Sequence, residues 1–500
     1  MSEHAPTKKS RKRTGKSSIQ VNEKTSEQRV HAFCDDAIAE HDATQLSFLI
    51  KRGEVSALEV TEAAIARCRR VNPQLNAIAS ERFDQAALDA RSKPAHPDRI
   101  FDGIPTLIKD NAPAKGLPTA YGTAAICAKP ERRDGPYTRQ FRSLGFNILG
   151  KSTLPEFGFN ATTEPVHDHA TRNPWNPAYS AGASSGGSAA LVAAGAIPIA
   201  HGNDGGGSIR IPAACCGLVG LKPSRGRHVN STQARALPIN IVSEGVLTRS
   251  VQDTARFHFH AQTHYSNPGL PRIPLIEGPA KQRLRIGYFS DSVAGFETDR
   301  DTRRVFEETL KTLSSLGHRL QEIPFPVKPD FAEHFSLYWG MMAYLVKKTG
   351  KASIAPNFRA SKLDALSHGL ARHYQQNMLK TPYMLYRLKR HAHAYNAAFE
   401  TQDVLLSPVL TQTVRPLGEL HPEVPYDELF ERLTRYVGFT PMANVSGAPA
   451  ISLPMGLCDN GLPVGMHFSA APGREQTLLE LAFELEEAQG WPHIQHQTDS

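Results

Sequence analysis

The chain has 500 residues, 40% apolar and 21% charged, with a net charge of +8. Such a composition suits a soluble, folded protein with enough chain to bury a sizeable core, and it excludes a wholly disordered one. Six scattered cysteines, whose only close pair is Cys215–Cys216, exclude a disulfide framework and fit free thiols in a reducing compartment.

Residues 1–30 hold eight Lys or Arg against three Glu, so the tail carries five of the net positive charges and the body is only mildly basic. A polar, charged segment without aromatics cannot bury enough apolar surface to offset its ordering entropy, which predicts a disordered tail. Its cluster KKSRKR reads first as a solubilising extension, with contact to nucleic acid or an anionic surface as the alternative. No apolar h-region follows it, so a secretory signal is not expected and the predicted location is cytoplasmic.

From residue 42 the pattern turns helical. Ser56 and Glu59 form a capping box ahead of ALEVTEAAIARCRRV, where Leu58, Ile65 and Cys68 recur on one face, and Pro73 predicts the end of that helix. Apolar runs at residues 104–108, 148–149, 197–200, 404–406 and 450–453 predict strands, separated by helical stretches such as 305–316. This alternation predicts an α/β fold: one large domain over residues 31–500, with a mixed, largely parallel central sheet flanked by helices.

Residues 173–203 carry no charge, but Pro174, Pro177, Pro198 and many Gly and Ser argue for a buried, close-packed segment rather than a membrane span. Residues 325–400 depart from the alternation and predict a helical, variable, pocket-forming region. There Phe335, Trp339, Met342 and Leu345 make a helical stripe whose plain reading is core packing and whose functional reading is pocket lining.

The densest signal is AGASSGGSAALVAAGAIPIAHGNDGGGSIRIPAACCGLVGLKPSRGR at residues 181–227. Two glycine-rich elements, each holding serine, flank an Ala-rich helix and a short strand. Gly205, Gly206 and Gly207 stand immediately before Ser208, and glycines let backbone N–H groups approach a developing oxyanion, as acyl transfer requires. A phosphate cradle is the competing reading, but no G-x-x-x-x-G-K-[ST] occurs. Residues 182–186 match G-x-S-x-G, yet that elbow should follow a buried strand, and NPAYSAG does not read as one.

GASSGGSAA followed by GNDGGGSIRIPAACCGLVGLKP resembles the amidase signature, and GIPTLIKDN at residues 103–111 resembles the lysine segment of the amidase signature family. The spacings of 75 residues from Lys109 to Ser184 and 24 from Ser184 to Ser208 suit that family. LPEFGFNATTEP, ATRNPWNP and NVSGAPAISLPMG extend the resemblance over roughly residues 40–490.

The resemblance implies a Ser–Ser–Lys triad without cofactor or metal: Ser208 attacks the carbonyl, Ser184 passes the proton and Lys109 is the base. It implies a cis peptide at Ala183–Ser184, with Asp204 and Arg210 as supporting polar residues whose plain reading is a structural ion pair. Ser185 and Ser188 are the other hydroxyls of the first loop, read as hydrogen-bonding supports rather than as nucleophiles. The chain departs from the family pattern at Ala183, where glycine is usual, and at Asn203, where threonine is common. Lys109 must be neutral to accept a proton, so burial should lower its pKa.

Twenty-one histidines invite a metal or Ser–His–Asp reading, but there is no H-E-x-x-H or C-x-x-C, and His391 and His393 sit in a Lys/Arg-rich helical stretch. Within the family, AHGND, TTEP and ATRNPWN are most similar to bacterial members that open small linear or cyclic amides. The resemblance therefore implies a small-molecule amide substrate, and it leaves a homodimer open. The alternative is the A subunit of a tRNA-dependent amidotransferase, against which PNFRASKLDALSHGLARHYQQNMLK at residues 356–380 stands as an independent pocket-forming insertion.

Overall fold

The computed structural model describes residues 29–92, 96 and 98–497. The tail predicted over residues 1–30 lies outside the described residues except at its end. There Val30 is buried and donates its N–H to the Pro174 carbonyl at 2.8 Å, so the folded body begins before residue 31.

Ser56 accepts from the Glu59 N–H while the Glu59 carboxylate accepts from the Ser56 N–H, closing the expected capping box at the start of helix Ala57–Leu75. The helix runs two residues past Pro73. A proline in the last turn removes only one N–H, and Asn76 ends the helix in the left-handed region at φ 49°. The expected 305–316 helix extends over Arg300–Ser315.

Among the described residues the strands are β1 (Ile78–Glu81), β2 (Pro105–Lys109), β3 (Asn147–Ser152), β4 (Arg172–Asn173), β5 (Asn176–Ser180), β6 (Ile199–Asp204) and β7 (Val219–Lys222). The others are β8 (Ser243–Thr248), β9 (Arg285–Tyr288), β10 (Arg319–Glu322), β11 (Val404–Pro408), β12 (Ala450–Leu457) and β13 (Pro463–Ser469). Every predicted apolar run overlaps a strand, although β2 begins one residue and β6 two residues into its run. An eight-stranded sheet has the order β10-β9-β11-β13-β12-β7-β8-β6, and a three-stranded sheet the order β1-β3-β2.

The large sheet is mixed and helix-flanked, as expected, in a single domain, but it is not largely parallel. Parallel pairing is confined to β10–β9 and β9–β11 there and to β2–β3 in the smaller sheet. The reason is local: β12 and β13 are joined by a short turn with Gly461 at φ 77°, and such a hairpin can only pair antiparallel. The remaining neighbours β11–β13, β12–β7, β7–β8 and β8–β6 are also antiparallel.

β2 is set beside β6 by side chains: Thr106 Oγ1 donates to the Ile199 carbonyl at 2.8 Å and the Lys109 N–H to His201 Nδ1 at 3.2 Å. β2 therefore ends on Lys109 beside His201, and β6 runs on to Asp204. Residues 325–400 form helices Phe331–Ser353, Ala365–Asn377 and Thr381–Ala397. No helix among the described residues is long and apolar enough to cross a membrane, and all six cysteines are free.

Candidate active site

The fully buried strand β2 delivers Lys109 to its C-terminal end with no exposed surface. Lys109 Nζ lies 2.7 Å from Ser184 Oγ and 2.8 Å from Asn203 Oδ1. Burial lowers the Lys109 ammonium from 10.5 to about 7, against the opposing pull of the Glu244 and Asp204 charges. At neutral pH a substantial share of this lysine is a free amine, which is what a base requires.

Ser184 follows the Ala183–Ser184 cis peptide, which forms although Ala183 replaces the usual glycine. Helix Gly186–Ala193 begins two residues later. Its glycines allow close approach: a Cβ on Gly186 would lie 2.2 Å from Thr163 Oγ1, and one on Gly187 would lie 2.3 Å from Thr153 Oγ1. Ser188 donates to the His201 carbonyl at 2.7 Å and pairs with Ser152 at 2.7 Å, so its hydroxyl is committed to the sheet.

Ser208 sits in the loop after β6. Ser185 holds that loop, its N–H and Oγ both donating to the Ser208 carbonyl, at 3.2 and 2.6 Å. Among the described residues no hydrogen bond joins Ser184 Oγ to Ser208 Oγ; the two serines share one cavity and are tied through Ser185 instead. Catalytic hydrogen bonds are often long without substrate and tighten when it binds.

Asp204 organises the loop around the nucleophile. Its carboxylate accepts from the Gly207 N–H at 2.7 Å, the Ile209 N–H at 3.1 Å and two Arg210 nitrogens at 2.8 and 2.9 Å. Burial pushes this carboxyl up, but the charge and hydrogen bonds of Arg210, with Asn444, outweigh burial and hold it well below the usual range. Gly207 therefore departs from its expected place in the oxyanion hole: its N–H is given to Asp204. At φ 133° a Cβ there would lie 2.4 Å from Thr440 Oγ1, so the position needs glycine for backbone geometry. Gly205 and Gly206 do line the cavity, beside Ser184 and Ser208.

Several participants are not marked by the sequence. Asn203, notable there only as a departure, is the second partner of Lys109 and exchanges two hydrogen bonds with Asn111. Asn444 donates to the Asp204 carbonyl and carboxylate at 2.9 Å, and accepts from Arg210. Both asparagines lie inside family-like segments, GIPTLIKDN for Asn111 and NVSGAPAISLPMG for Asn444, but nothing in their spacing marks a role. Because the Lys109 N–H donates to His201 Nδ1, the neutral ring carries its proton on Nε2, toward Glu244 at 3.0 Å.

The cavity above these groups measures about 690 Å³. Phe335, Trp339, Met342 and Leu345 all line it, while Phe335, Trp339 and Met342 also pack against the core. The stripe thus serves both readings. Elsewhere, Asp330, His334 and His391 offer ligand atoms within 4.8 Å of one another. The Arg387 guanidinium pairs with the same Asp330 carboxylate, so the cluster reads as a polar bridge between two helices.

The sequence pattern of the Amidase family matches residues 59–479. The chain belongs to the amidase family. A Mycobacterium leprae (strain TN) protein named "Putative amidase AmiC" is 46% identical over 469 residues, covering 94% of this chain and 99% of its own length. A solved structure of 6-aminohexanoate cyclic dimer hydrolase complexed with substrate superimposes with a TM-score of 0.80 at 30% identity, covering 91% of this chain and 98% of the other. The A subunit of a glutamyl-tRNA(Gln) amidotransferase, from Prochlorococcus marinus (strain MIT 9313), is 31% identical, covering 88% of this chain and 95% of its own. As an amidase, the chain is a hydrolase of carbon–nitrogen amide bonds.

Proposed function

We propose that this amidase cleaves a small linear or cyclic amide through an acyl-enzyme on Ser208, with Ser184 as relay and Lys109 as base. The observation that carries this reading is the 2.7 Å contact between Lys109 Nζ and Ser184 Oγ at the floor of the cavity that Ser208 lines. Ser208 Oγ attacks the amide carbonyl while its proton passes to Ser184 Oγ, whose own proton passes to the neutral Lys109 amine. The negative charge on the carbonyl oxygen meets backbone N–H groups of the Gly205–Gly206 turn. As the tetrahedral intermediate collapses, Lys109 returns its proton through Ser184 to the departing amine. Water then repeats the sequence on the acyl-enzyme and releases the acid.

The resemblance to the cyclic dimer hydrolase supports a linear or cyclic amide of modest size. The tRNA-dependent amidotransferase is the more distant likeness, and a basic tail alone does not favour it. The test is turnover of a panel of aliphatic, aromatic, cyclic and peptide amides by the wild type and by Ser208→Ala, Ser184→Ala and Lys109→Ala. Each variant should lose about 10³-fold or more in kcat/KM. Unchanged turnover in Ser208→Ala would defeat the mechanism.

A further inference from the structure

The walls of the cavity are almost free of charge. Among the described residues Glu244 is the one charged side chain that lines it, and its carboxylate is already bonded to His201 Nε2 at 3.0 Å. The neutral polar groups are also largely committed. Asn111 and Asn203 bond each other, Gln233 Nε2 donates to Tyr121 Oη at 3.1 Å, and Asn160 Nδ2 donates to the Leu420 carbonyl at 2.8 Å. A carboxylate carried into this space would lose its water and find no cation among the lining side chains, and an ammonium would find only the Glu244 carboxylate, one oxygen of which His201 already holds, so either charge is buried at a cost.

Helix Phe331–Ser353 supplies one continuous apolar wall of this largely apolar cavity. Phe335 lies against the chemistry: a methyl added to Gly206 would lie 3.4 Å from its ring, so the ring flanks the turn assigned above to the oxyanion. Trp339 is braced from behind by Phe430, with ring centroids 6.2 Å apart and planes 20° from parallel. Met342 and Leu345 continue the same face one turn at a time. This wall comes from the helical 325–400 region rather than from the two sheets, whose strands β2 and β6 lead to Lys109 and Ser208.

Resting on the hydrolase reading above, we propose that the substrate is an uncharged amide with a bulky apolar body seated on Phe335, Trp339 and Met342, and that amides bearing a free carboxylate or ammonium in that body are excluded. Helix Phe331–Ser353 sets the specificity, and the ends of β2 and β6 supply the chemistry.

Three matched anilides test this: hexananilide, the monoanilide of adipic acid and the anilide of 6-aminohexanoic acid. Their dissociation constants are measured by titration calorimetry on Ser208→Ala, which reads selection apart from chemistry, and kcat/KM is measured on the wild type. Hexananilide should bind about 100-fold more tightly than either charged analogue; binding of all three within tenfold of one another overturns the proposal. Selective binding of hexananilide without wild-type turnover would count against the hydrolase reading and leave the selectivity standing. Met342→Arg places a cation on the wall and should narrow the gap between hexananilide and the adipic monoanilide at least tenfold without helping the ammonium analogue. An unchanged gap in a variant of native circular dichroism also overturns it.

Discussion

Asn203 Oδ1 accepts a hydrogen bond from Lys109 Nζ at 2.8 Å, beside the contact of the same amine with Ser184 Oγ at 2.7 Å. One N–H held by Asn203 turns the remaining lone pair of the neutral amine toward the serine. Asn203→Ala should therefore lower kcat about 10- to 100-fold with little change in KM, because a mis-aimed base fails in the proton transfer and not in binding. Asn203→Thr keeps an acceptor oxygen and should recover most of the loss. Steady-state kinetics of both variants decides it, and equal losses in the two would show that the hydrogen bond is not the cause.

Activity should rise with pH through about 7, because Lys109 must be unprotonated to accept the Ser184 proton and burial lowers it to about that value. The Glu244 charge raises the pKa of Lys109, so Glu244→Gln should move the ascending limb of kcat/KM to lower pH. A shift to higher pH, or none, would mean that another group controls the limb.

The same buried lysine weakens the fold. Its pKa is lower in the folded protein than the 10.5 of an exposed lysine, so between about pH 7 and 10.5 the unfolded chain binds more protons. Stability therefore increases with pH across that window, and the cost is fully present below it. Lys109→Met should be inactive yet raise the unfolding temperature at pH 6 by roughly 2 °C or more, with a smaller gain at pH 9. Thermal melts at the two pH values test both the sign and the trend.

Asp204 and Arg210 are both fully buried and joined at 2.8 Å. Removing either partner leaves the other charge without compensation, so Arg210→Ala and Asp204→Ala should each cost about 3–5 kcal/mol in urea unfolding. The double variant should cost less than the sum of the two singles. Additive losses would mean that each acts through Asn444, Thr440 and the loop backbone instead of through the pair.

Much of the fold was legible because its signals are local. The Ser56–Glu59 box, the apolar run before Lys109 and the stripe from Phe335 to Leu345 each depend on neighbours a few residues apart. The direction of strand pairing was not legible, since an apolar run reads the same whether its partner is parallel or antiparallel; only the tight turn at Gly461 decides it for β12 and β13. At the site, glycines before a serine suggested three equivalent donors. The structure removes Gly207 from that set because Asp204, three residues back, takes its N–H. The roles of Asn203 and Asn444 depend on contacts spanning 94 and 240 residues, which no spacing rule anticipates.

The most direct test of the central claim is to trap the acyl-enzyme. Wild-type protein reacted with a fluorophosphonate, or acid-quenched during turnover of an anilide, is digested and its peptides are mapped by mass spectrometry. The account predicts one adduct, on Ser208, absent from Ser208→Ala and formed slowly in Lys109→Met. An adduct on Ser184 or Ser185, or labelling that survives in Ser208→Ala, would contradict it.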